Sequence, residues 1–199
     1  MEGTKEKIFW KSLDLFGSKG YDAVSIRNLT KEVGIRESSF YNHYKSKEAL
    51  LQEIFMVMEM ELGKNKLDAV QIDKLTDELD LKTYLTRGID RFLERWNKPY
   101  ASKIWAVVSM EQYRNRQAAE LILGETERTL NMMSTAFLFF QQKKKMKEGD
   151  PVLYAHLYGF SSRAIHLDYS LRTFLNNNPE KSLKKMYETA DFFANTYGI

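Results

Sequence analysis

Residues 25–47 read SIRNLTKEVGIRESSFYNHYKSK, and this stretch decides the fold of the N-terminal part of the chain. Ser25 is a suitable N-cap for a short helix with apolar residues at helical spacing. Gly34 follows that helix, at a point where a sharp turn requires a positive φ. A second short helix is predicted over 36–43. Two short helices joined around a glycine predict a helix–turn–helix.

The second of these helices has a surface suited to reading DNA, because a recognition helix reaches base edges in the major groove with polar side chains. The stretch 25–47 holds five basic and two acidic residues, an excess of +3 that equals the net charge of the whole chain. Positive charge is therefore concentrated where phosphate contacts would form. The alternative to DNA binding is that these two helices form a small solvent-exposed pair with no binding role. The predicted reading surface comprises Arg36, Glu37, Ser38, Ser39, Asn42 and His43.

Residues 8–51 resemble the N-terminal DNA-binding domain of the TetR family of bacterial transcriptional regulators. The resemblance covers about the first quarter of the chain, and the remainder is similar only in being helical and of the right length. The matching residues, in order, are Ile8, Leu15-Phe16, Gly20-Tyr21, Ser25-Ile26-Arg27, Val33-Gly34-Ile35, Phe40-Tyr41, His43-Tyr44 and Ser46-Lys47-Glu48-Ala49-Leu50-Leu51.

The resemblance implies which residues meet the DNA backbone. Tyr41 occupies the position of a tyrosine that the family places on the backbone, and Arg27 a position on the second helix that often reaches DNA. Lys47 stands at the start of the fourth helix, where charge and helix dipole both favour a phosphate. Ser25 could contact phosphate while it caps its helix.

Base contacts follow from the chemistry of the reading surface. Arg36 could bind guanine, Glu37 could accept a hydrogen bond from cytosine and Asn42 could pair with adenine. The chain departs from the family pattern at Val24, Thr30, Arg36 and Ser38, where threonine, alanine, serine and glycine are common. The missing cap at Arg36 weakens the helix start by about 1 kcal/mol. These departures bear on which operator is read more than on DNA binding itself.

The composition predicts an all-α protein. Among 199 residues there are only 3 prolines and 10 glycines, too few for the many turns of a sandwich or barrel. Helical periodicity indicates about nine helices, with an irregular stretch over 65–79. We expect a three-helix DNA-binding domain over 1–47, followed by a helical ligand-binding and dimerisation domain over 48–199.

Two segments of the C-terminal part carry apolar stripes. Residues 153–174 hold apolar residues at spacings of 4, 3, 4, 3, 4 and 3, and 118–140 shows a similar stripe. The pattern alone fits a core and a four-helix dimer interface equally well. The family resemblance implies a homodimer that binds a pseudo-palindrome. The candidate interface residues are Ile122, Met133, Phe137, Leu153, Leu157, Phe160, Ala164, Leu167 and Leu171.

Aromatic, methionine and polar residues of the C-terminal part are candidates for a small-molecule pocket, although such residues also build any core. The resemblance implies an effector that moves the fourth helix and releases DNA. We expect no metal and no other cofactor. The candidate pocket residues are Phe55, Met58, Phe92, Trp96, Trp105, Met110, Tyr113, Arg163 and His166.

An enzyme is the main competing function. The chain has no cysteine and three histidines, and the motifs of metalloproteases, phosphate-binding loops and serine hydrolases are missing from the sequence. A helical scaffold that binds no specific DNA is another alternative. No apolar run approaches the ~20 residues of a membrane span, so we expect a cytoplasmic protein. The tract Lys143–Lys147 could contact nucleic acid or a membrane surface, or be a solvated loop end.

A charge in the apolar repeat tests the interface prediction. Leu167→Asp places a carboxylate at the centre of the repeat, where an apolar partner would have to desolvate it. We expect the variant to be monomeric in size-exclusion chromatography with light scattering. A dimer that survives the substitution would place the interface elsewhere.

Overall fold

The computed structural model describes residues 3–64, 66–98 and 100–199, and these residues form ten α-helices and no β-strand. The all-α prediction is confirmed. The helices are α1 (Thr4–Lys19), α2 (Ile26–Val33), α3 (Glu37–Tyr41), α4 (Lys47–Gly63), α5 (Ala69–Glu78), α6 (Leu81–Trp96), α7 (Ala101–Glu111), α8 (Arg116–Gln142), α9 (Pro151–Phe174) and α10 (Glu180–Tyr197).

Local signals set most helix ends, as predicted. The side chains of Ser25 and Ser46 accept hydrogen bonds from the third backbone N–H group of α2 and α4, respectively. Gly34 adopts the left-handed conformation, with φ +77° and ψ 34°. Pro151 opens α9, where its missing N–H group is not needed. By the same rule the sequence predicts a helix start at Pro99, and this residue lies outside the described residues.

The prediction of an irregular stretch over 65–79 is wrong, because α5 occupies most of it. Asp68 and Gln71 form a capping box: the Gln71 N–H donates to Asp68 at 2.8 Å, and the Asp68 N–H donates to the Gln71 side chain at 3.0 Å. Ile72 and Thr76 are buried one turn apart on the inner face. This helix accounts for ten helices rather than about nine.

The described residues divide into two compact units. The first holds the residues up to Lys66 and those from Trp96 to Glu125, which include α1–α4, α7 and the start of α8. The second holds Leu67–Arg95 and Thr126–Ile199, which include α5, α9 and α10. This is a division by packing. The functional boundary between residues 47 and 48 stays a prediction.

In the first unit, α7 packs against both α1 and α4. The approach to α1 is close, because a Cβ atom added to Gly17 would lie 3.6 Å from the Cβ of Ala106. An ion pair of 2.5 Å between Lys103 and Asp14 flanks the crossing. The helix–turn–helix therefore shares one apolar core with α7, and Phe16, Phe40, Phe55, Val107 and Val108 are fully buried in it.

The second unit has an aromatic core. The ring of Phe137 stacks on that of Phe193 with a centroid distance of 5.4 Å, and Tyr84 meets Phe140 edge-on at 5.4 Å. Helix α9 approaches α8 at Gly159, where an added Cβ would lie 2.5 Å from a methyl group of Leu130. A larger residue at this position would require the Leu130 side chain to move.

The lysine tract 143–147 fixes helix ends within the second unit. The Lys145 ammonium donates to the carbonyls of Thr76, Asp77 and Leu79 at 2.5–3.1 Å, at the C-terminus of α5. The Lys147 ammonium donates to the Thr196 carbonyl in the last turn of α10 at 2.7 Å. A cation at a helix C-terminus also interacts favourably with the helix dipole. These two lysines thus have structural roles, which favours neither a nucleic-acid nor a membrane contact.

Substitution of Lys145 tests this role. Lys145→Met keeps the aliphatic stem and leaves three carbonyls without their donor, so we expect the free energy of unfolding to fall by about 1–3 kcal/mol. Urea denaturation measures it. Lys144→Met is the matched control, because Lys144 is exposed and pairs with Glu148 in the loop between α8 and α9, and its loss should cost less than about 0.5 kcal/mol. Equal stability of the two variants would contradict the capping role.

Candidate nucleic-acid interface

The turn between α2 and α3 is fixed by local hydrogen bonds. Ser25 and Asn28 form a capping box at the start of α2, with both N–H···O distances at 3.1 Å. After Gly34 reverses the chain, the Ile35 N–H donates to the Thr30 carbonyl at 3.0 Å. The buried Thr30 hydroxyl donates to the Arg27 carbonyl at 3.2 Å. This departure from the family pattern is therefore accommodated without an unpaired polar group.

Helix α3 is shorter than predicted, since it ends at Tyr41 rather than at 43. Asn42 follows as the C-cap, and the His43 N–H donates to the Phe40 carbonyl at 2.9 Å. Phe40 is fully buried and anchors this short segment to the core. Arg36 precedes α3 without a side-chain cap, as the sequence indicates.

The predicted reading surface is a mostly exposed strip formed by α3 and the residues at its two ends. The residues beside and above the buried Phe40 all face solvent except Ser39, which is half-buried. The exposed reading residues are Arg36, Glu37, Ser38, Asn42 and His43. Such a strip offers guanidinium, carboxylate, hydroxyl, amide and imidazole groups to base edges.

The residues predicted to contact the DNA backbone lie around that strip. Tyr41 is 55% exposed, and its ring meets Phe40 edge-on with a centroid distance of 5.5 Å. Arg27 is exposed on α2. Ser25 is exposed too, although its hydroxyl already caps α2. Tyr41 and Arg27 are thus accessible to phosphates.

Lys47 has a structural role that the sequence does not reveal. Its ammonium donates to the carbonyls of Tyr21 and Val24, both at 2.9 Å, and lies 4.0 Å from the centroid of the Tyr21 ring. Two of its three N–H groups are therefore engaged within the protein, and one is left for a phosphate. Lys47 ties the start of α4 to the turn between α1 and α2.

Tyr21 contacts three helices, and the sequence analysis did not predict this structural role. Its hydroxyl donates to Glu48 on α4 at 2.9 Å, and its backbone N–H donates to the buried carboxylate of Glu111 on α7 at 3.3 Å. Its ring packs edge-on against Phe16 of α1. Burial, followed by the hydrogen bond to Glu48, raises the pKa of the Tyr21 phenol, so it remains a hydrogen-bond donor at neutral pH. The family resemblance includes the Gly20-Tyr21 dipeptide, but the sequence does not indicate that Tyr21 contacts a residue 90 positions further along the chain.

The predicted pocket residues do not form one group. Phe55 and Met58 belong to the core of the first unit, and Trp96 and Trp105 also lie in that unit. Met110 is 45% exposed and Tyr113 is 91% exposed. These two were predicted to line a pocket because of their residue types, but in the structure they face solvent instead.

The other three candidates meet in the second unit. His166 of α9 stacks on Phe92 of α6 with parallel rings and a centroid distance of 3.8 Å. Burial, with help from Arg95 and Arg163, lowers the pKa of His166 to about 4, so the imidazole is neutral at pH 7. This is an apolar, aromatic environment bordered by positive charge.

Two surface grooves are present in the structure, and none of the predicted pocket residues lines either of them. One, of about 380 Å³, lies in the first unit beside Phe9, Trp10 and Val57. The other, of about 240 Å³, lies in the second unit beside Ile165 and Phe192. Among the described residues, no group of three His, Asp or Glu residues could hold a metal ion, and no helix is long and apolar enough to cross a membrane.

The predicted interface residues separate into two classes. Ile122 and Phe137 of α8 are 7% and 0% exposed, so these two belong to the core of a single chain and do not face a partner. Met133 is half-buried. The residues of α9 instead face solvent, and these are Leu153, Leu157, Phe160, Ala164, Leu167 and Leu171.

Comparison with known proteins identifies the N-terminal segment. Residues 10–54 match the model for bacterial regulatory proteins of the tetR family. The uncharacterized HTH-type transcriptional regulator YerO of Bacillus subtilis is 43% identical over 68 residues, which are 33% of this chain and 24% of YerO. The negative regulator IcaR of the icaADBC biofilm operon of Staphylococcus epidermidis is 37% identical over 49 residues, 25% of this chain and 26% of IcaR. These matches span about a quarter of each relative.

Longer matches extend over most of the chain. The uncharacterized HTH-type regulator YvdT of Bacillus subtilis is 25% identical over 172 residues, 73% of this chain and 88% of YvdT. SmeT, the repressor of the Stenotrophomonas maltophilia efflux pump SmeDEF, has a similar fold, with a TM-score of 0.64, 14% identity, and coverage of 100% of this chain and 92% of SmeT. A transcriptional regulator from Saccharomonospora viridis in complex with choline has a TM-score of 0.55, 17% identity, and coverage of 98% and 97%. At such identities the structural likeness concerns the fold.

The tie at Lys47 yields a prediction about stability. Lys47→Met removes the donor for two carbonyls and the cation over the Tyr21 ring, so we expect the free energy of unfolding to fall by about 1–3 kcal/mol in urea denaturation. Lys45→Met is the matched control, because Lys45 is exposed two residues earlier, and it should change stability by less than about 0.5 kcal/mol. If both variants unfold at the same urea concentration, Lys47 is not a structural tie.

Proposed function

Because this chain belongs, through residues 10–54, to the tetR family of bacterial regulatory proteins, we propose that it represses transcription as a homodimer on a pseudo-palindromic operator. A small-molecule effector releases it from DNA. The observation that carries the proposal is the exposed polar strip of α3, held above the buried Phe40 by the Gly34 turn. The protein acts in the cytoplasm, where its DNA lies.

Two kinds of contact would hold the DNA. Arg36, Glu37 and Asn42 read base edges from the major groove, with Ser38, Ser39 and His43 beside them. Tyr41, Arg27, Ser25 and the remaining N–H group of Lys47 bind phosphates. Contacts of the first kind select a sequence, whereas those of the second kind fix the orientation of α3 on any sequence.

Release requires that the recognition helix change its position. Lys47, Glu48 and Glu111 all bind Tyr21, so α4 and α7 hold the turn that precedes α2. A displacement of either helix would carry the helix–turn–helix with it as one body. An effector causes release if it binds the displaced arrangement more tightly than the DNA-bound one.

The effector is proposed to be a small organic molecule. SmeT has been solved in complex with triclosan, and the regulator from Saccharomonospora viridis with choline. In this chain, the stacked and largely buried pair of Phe92 and His166, with Arg163 nearby, provides an aromatic environment with a cation at its edge. These three residues are the candidates that we retain for effector contact.

Dimerisation would bring two recognition helices to one operator. The apolar residues of α9 are exposed on a single chain, and an exposed apolar face of this length marks an interaction surface. A two-fold dimer presents both helices to half-sites about one helical turn, or a multiple of it, apart. Residues 1–47 then bind DNA, and 48–199 bind the effector and the second copy.

Selection of bound fragments from random DNA at near-physiological salt tests the proposal. We expect the wild-type protein to recover one pseudo-palindromic site. Tyr41→Ala should recover the same site with about 10- to 100-fold weaker binding, because one hydrogen bond to a charged phosphate is lost. Tyr113→Ala is the matched control, since Tyr113 is an exposed tyrosine outside the helix–turn–helix. Recovery of no site above background would indicate either a scaffold or a protein already released by a bound effector. A search for a co-purified small molecule distinguishes the two, and its absence would contradict sequence-specific repression.

Base-reading variants give a different result in the same selection. Arg36→Ala or Asn42→Ala should change the recovered sequence at one or two positions in each half-site, with each lost base contact costing about 1–3 kcal/mol of discrimination. Unchanged sequences from both variants would show that other residues read the operator.

A further inference from the structure

A groove between the first turns of α1 and the middle of α4 has no part in the proposed function. Its volume is about 380 Å³, which is within the range of cavities that hold small organic molecules. Every residue that lines it belongs to the first unit, whereas the residues retained for effector contact belong to the second. We call it the α1–α4 groove, and its lining side chains are Lys5, Glu6, Phe9, Trp10, Glu53 and Val57.

The walls of the α1–α4 groove are aromatic and apolar. Phe9, Trp10 and Val57 are half-buried and pack against the core of the first unit. The ring of Trp10 meets that of Phe9 edge-on with a centroid distance of 5.9 Å, and the ring of Tyr100 lies 6.0 Å from it on another side. The indole is therefore held in place by its neighbours, and its accessible part offers a flat surface to a ligand.

The charges in the groove favour a cation, because two carboxylates line it against one ammonium group. The Lys5 ammonium lies 2.8 Å from the Glu53 carboxylate and pairs with it. Glu6 is exposed and has no ion-pair partner among the described residues. The carboxylates of the groove are thus only partly neutralised by the chain itself.

A buried hydroxyl group next to this ion pair lacks a partner. The Lys5 ammonium lies 5.3 Å from the centroid of the Tyr44 ring, and Tyr44 is only 4% exposed. The Tyr44 hydroxyl makes no hydrogen bond among the described residues. Burial, followed by the charge of Glu53, raises the pKa of Tyr44, so the hydroxyl keeps its proton and needs an acceptor. A buried donor without an acceptor is costly, and Glu53 is engaged by Lys5.

We propose that the α1–α4 groove binds a small aromatic amine, with its ring against Trp10 and its ammonium group between the carboxylates of Glu6 and Glu53. An aliphatic amine is protonated at pH 7, as a lysine side chain is. Its ammonium group would form charge-assisted hydrogen bonds with the carboxylates, and tryptophan is the ring that attracts a cation most strongly. The ligand displaces Lys5 from Glu53, which can then turn toward the Tyr44 hydroxyl.

The indole signals of the protein report binding directly. The chain has three tryptophans, so its ¹H–¹⁵N spectrum contains three indole N–H signals, and Trp10→Phe identifies that of Trp10. We expect 2-phenylethylamine to shift the Trp10 signal until the site is saturated. The alcohol 2-phenylethanol has the same ring and chain but no charge, and it should bind about 10-fold more weakly.

Three results of this titration would overturn the proposal. One is a Trp10 signal that does not move with the amine. Another is equal binding of the amine and the alcohol, which would show that the carboxylates contribute nothing. The third is tighter binding of phenylacetate, which would show that Lys5 makes this groove a site for anions.

Substitution of the carboxylates tests where the ammonium group lies. Glu6→Gln and Glu53→Gln keep the size of the side chain and remove its charge, so each should raise the Kd for 2-phenylethylamine about 5- to 10-fold. Glu59→Gln is the matched control, because Glu59 is exposed on α4 and does not line the groove. Its Kd should stay within about 2-fold of wild type, since solvent screens a distant charge. Equal Kd values for the three variants would contradict the proposed site.

Lys5 tests the proposed competition for Glu53. Lys5→Met keeps the aliphatic stem and frees the carboxylate, so the Kd should fall about 3- to 10-fold. Lys7→Met removes the same charge from the exposed surface of α1 outside the groove, and it should change the Kd by less than about 2-fold. Weaker binding by Lys5→Met, or an equal effect of both substitutions, would overturn the displacement of Lys5. The titration needs neither DNA nor a second copy, so its failure would leave the proposed repression untouched.

Discussion

Helix α3 has only five residues, and a helix of that length is not stable in water by itself. Its conformation depends on packing and on the residues that fix its ends. Phe40 anchors it from below, and the Gly34 turn sets its direction. The turn before α2 is held in turn by Lys47, which joins it to α4 through two carbonyls and the ring of Tyr21. The polar strip that we propose for DNA contact is therefore a product of the whole first unit.

Features that depend on neighbouring residues were predictable from the sequence. The caps at Ser25 and Ser46 and the left-handed Gly34 each follow from a signal within a few positions. The capping box of α5 is of the same kind, and it could have been predicted had Asp68 and Gln71 been read together. By contrast, Lys47 and Glu111 reach Tyr21 across 26 and 90 positions. Only the packed structure shows that a residue expected on phosphate also holds two backbone carbonyls.

The sequence could not decide which apolar stripe faces outward. Helices α8 and α9 both repeat apolar residues at spacings of three and four, and burial by the same chain or by another gives the same pattern. The structure separates them, since Phe137 is enclosed and Leu157 is half-exposed. Residue type was an equally weak guide to the pocket, because Tyr113 has the chemistry of a ligand contact but lies in solvent. The lysine tract is similar: its charge suggested an external partner, and its ammonium groups were found on helix ends.

The exposure of the reading strip has an evolutionary consequence. Arg36, Ser38 and Asn42 face solvent, and the packing of α3 rests on Phe40 beneath them. Arg36 and Asn42 lie at the two ends of α3, but Arg36 makes no side-chain cap and Asn42 closes the helix through its backbone N–H group. Substitutions at exposed positions outside buried networks usually change stability little. A duplicated gene could therefore acquire new residues in this strip, and a new target sequence, without first losing its fold. If these three positions read the operator as proposed, the same separation makes them suitable for a randomised library from which regulators of chosen promoters could be selected.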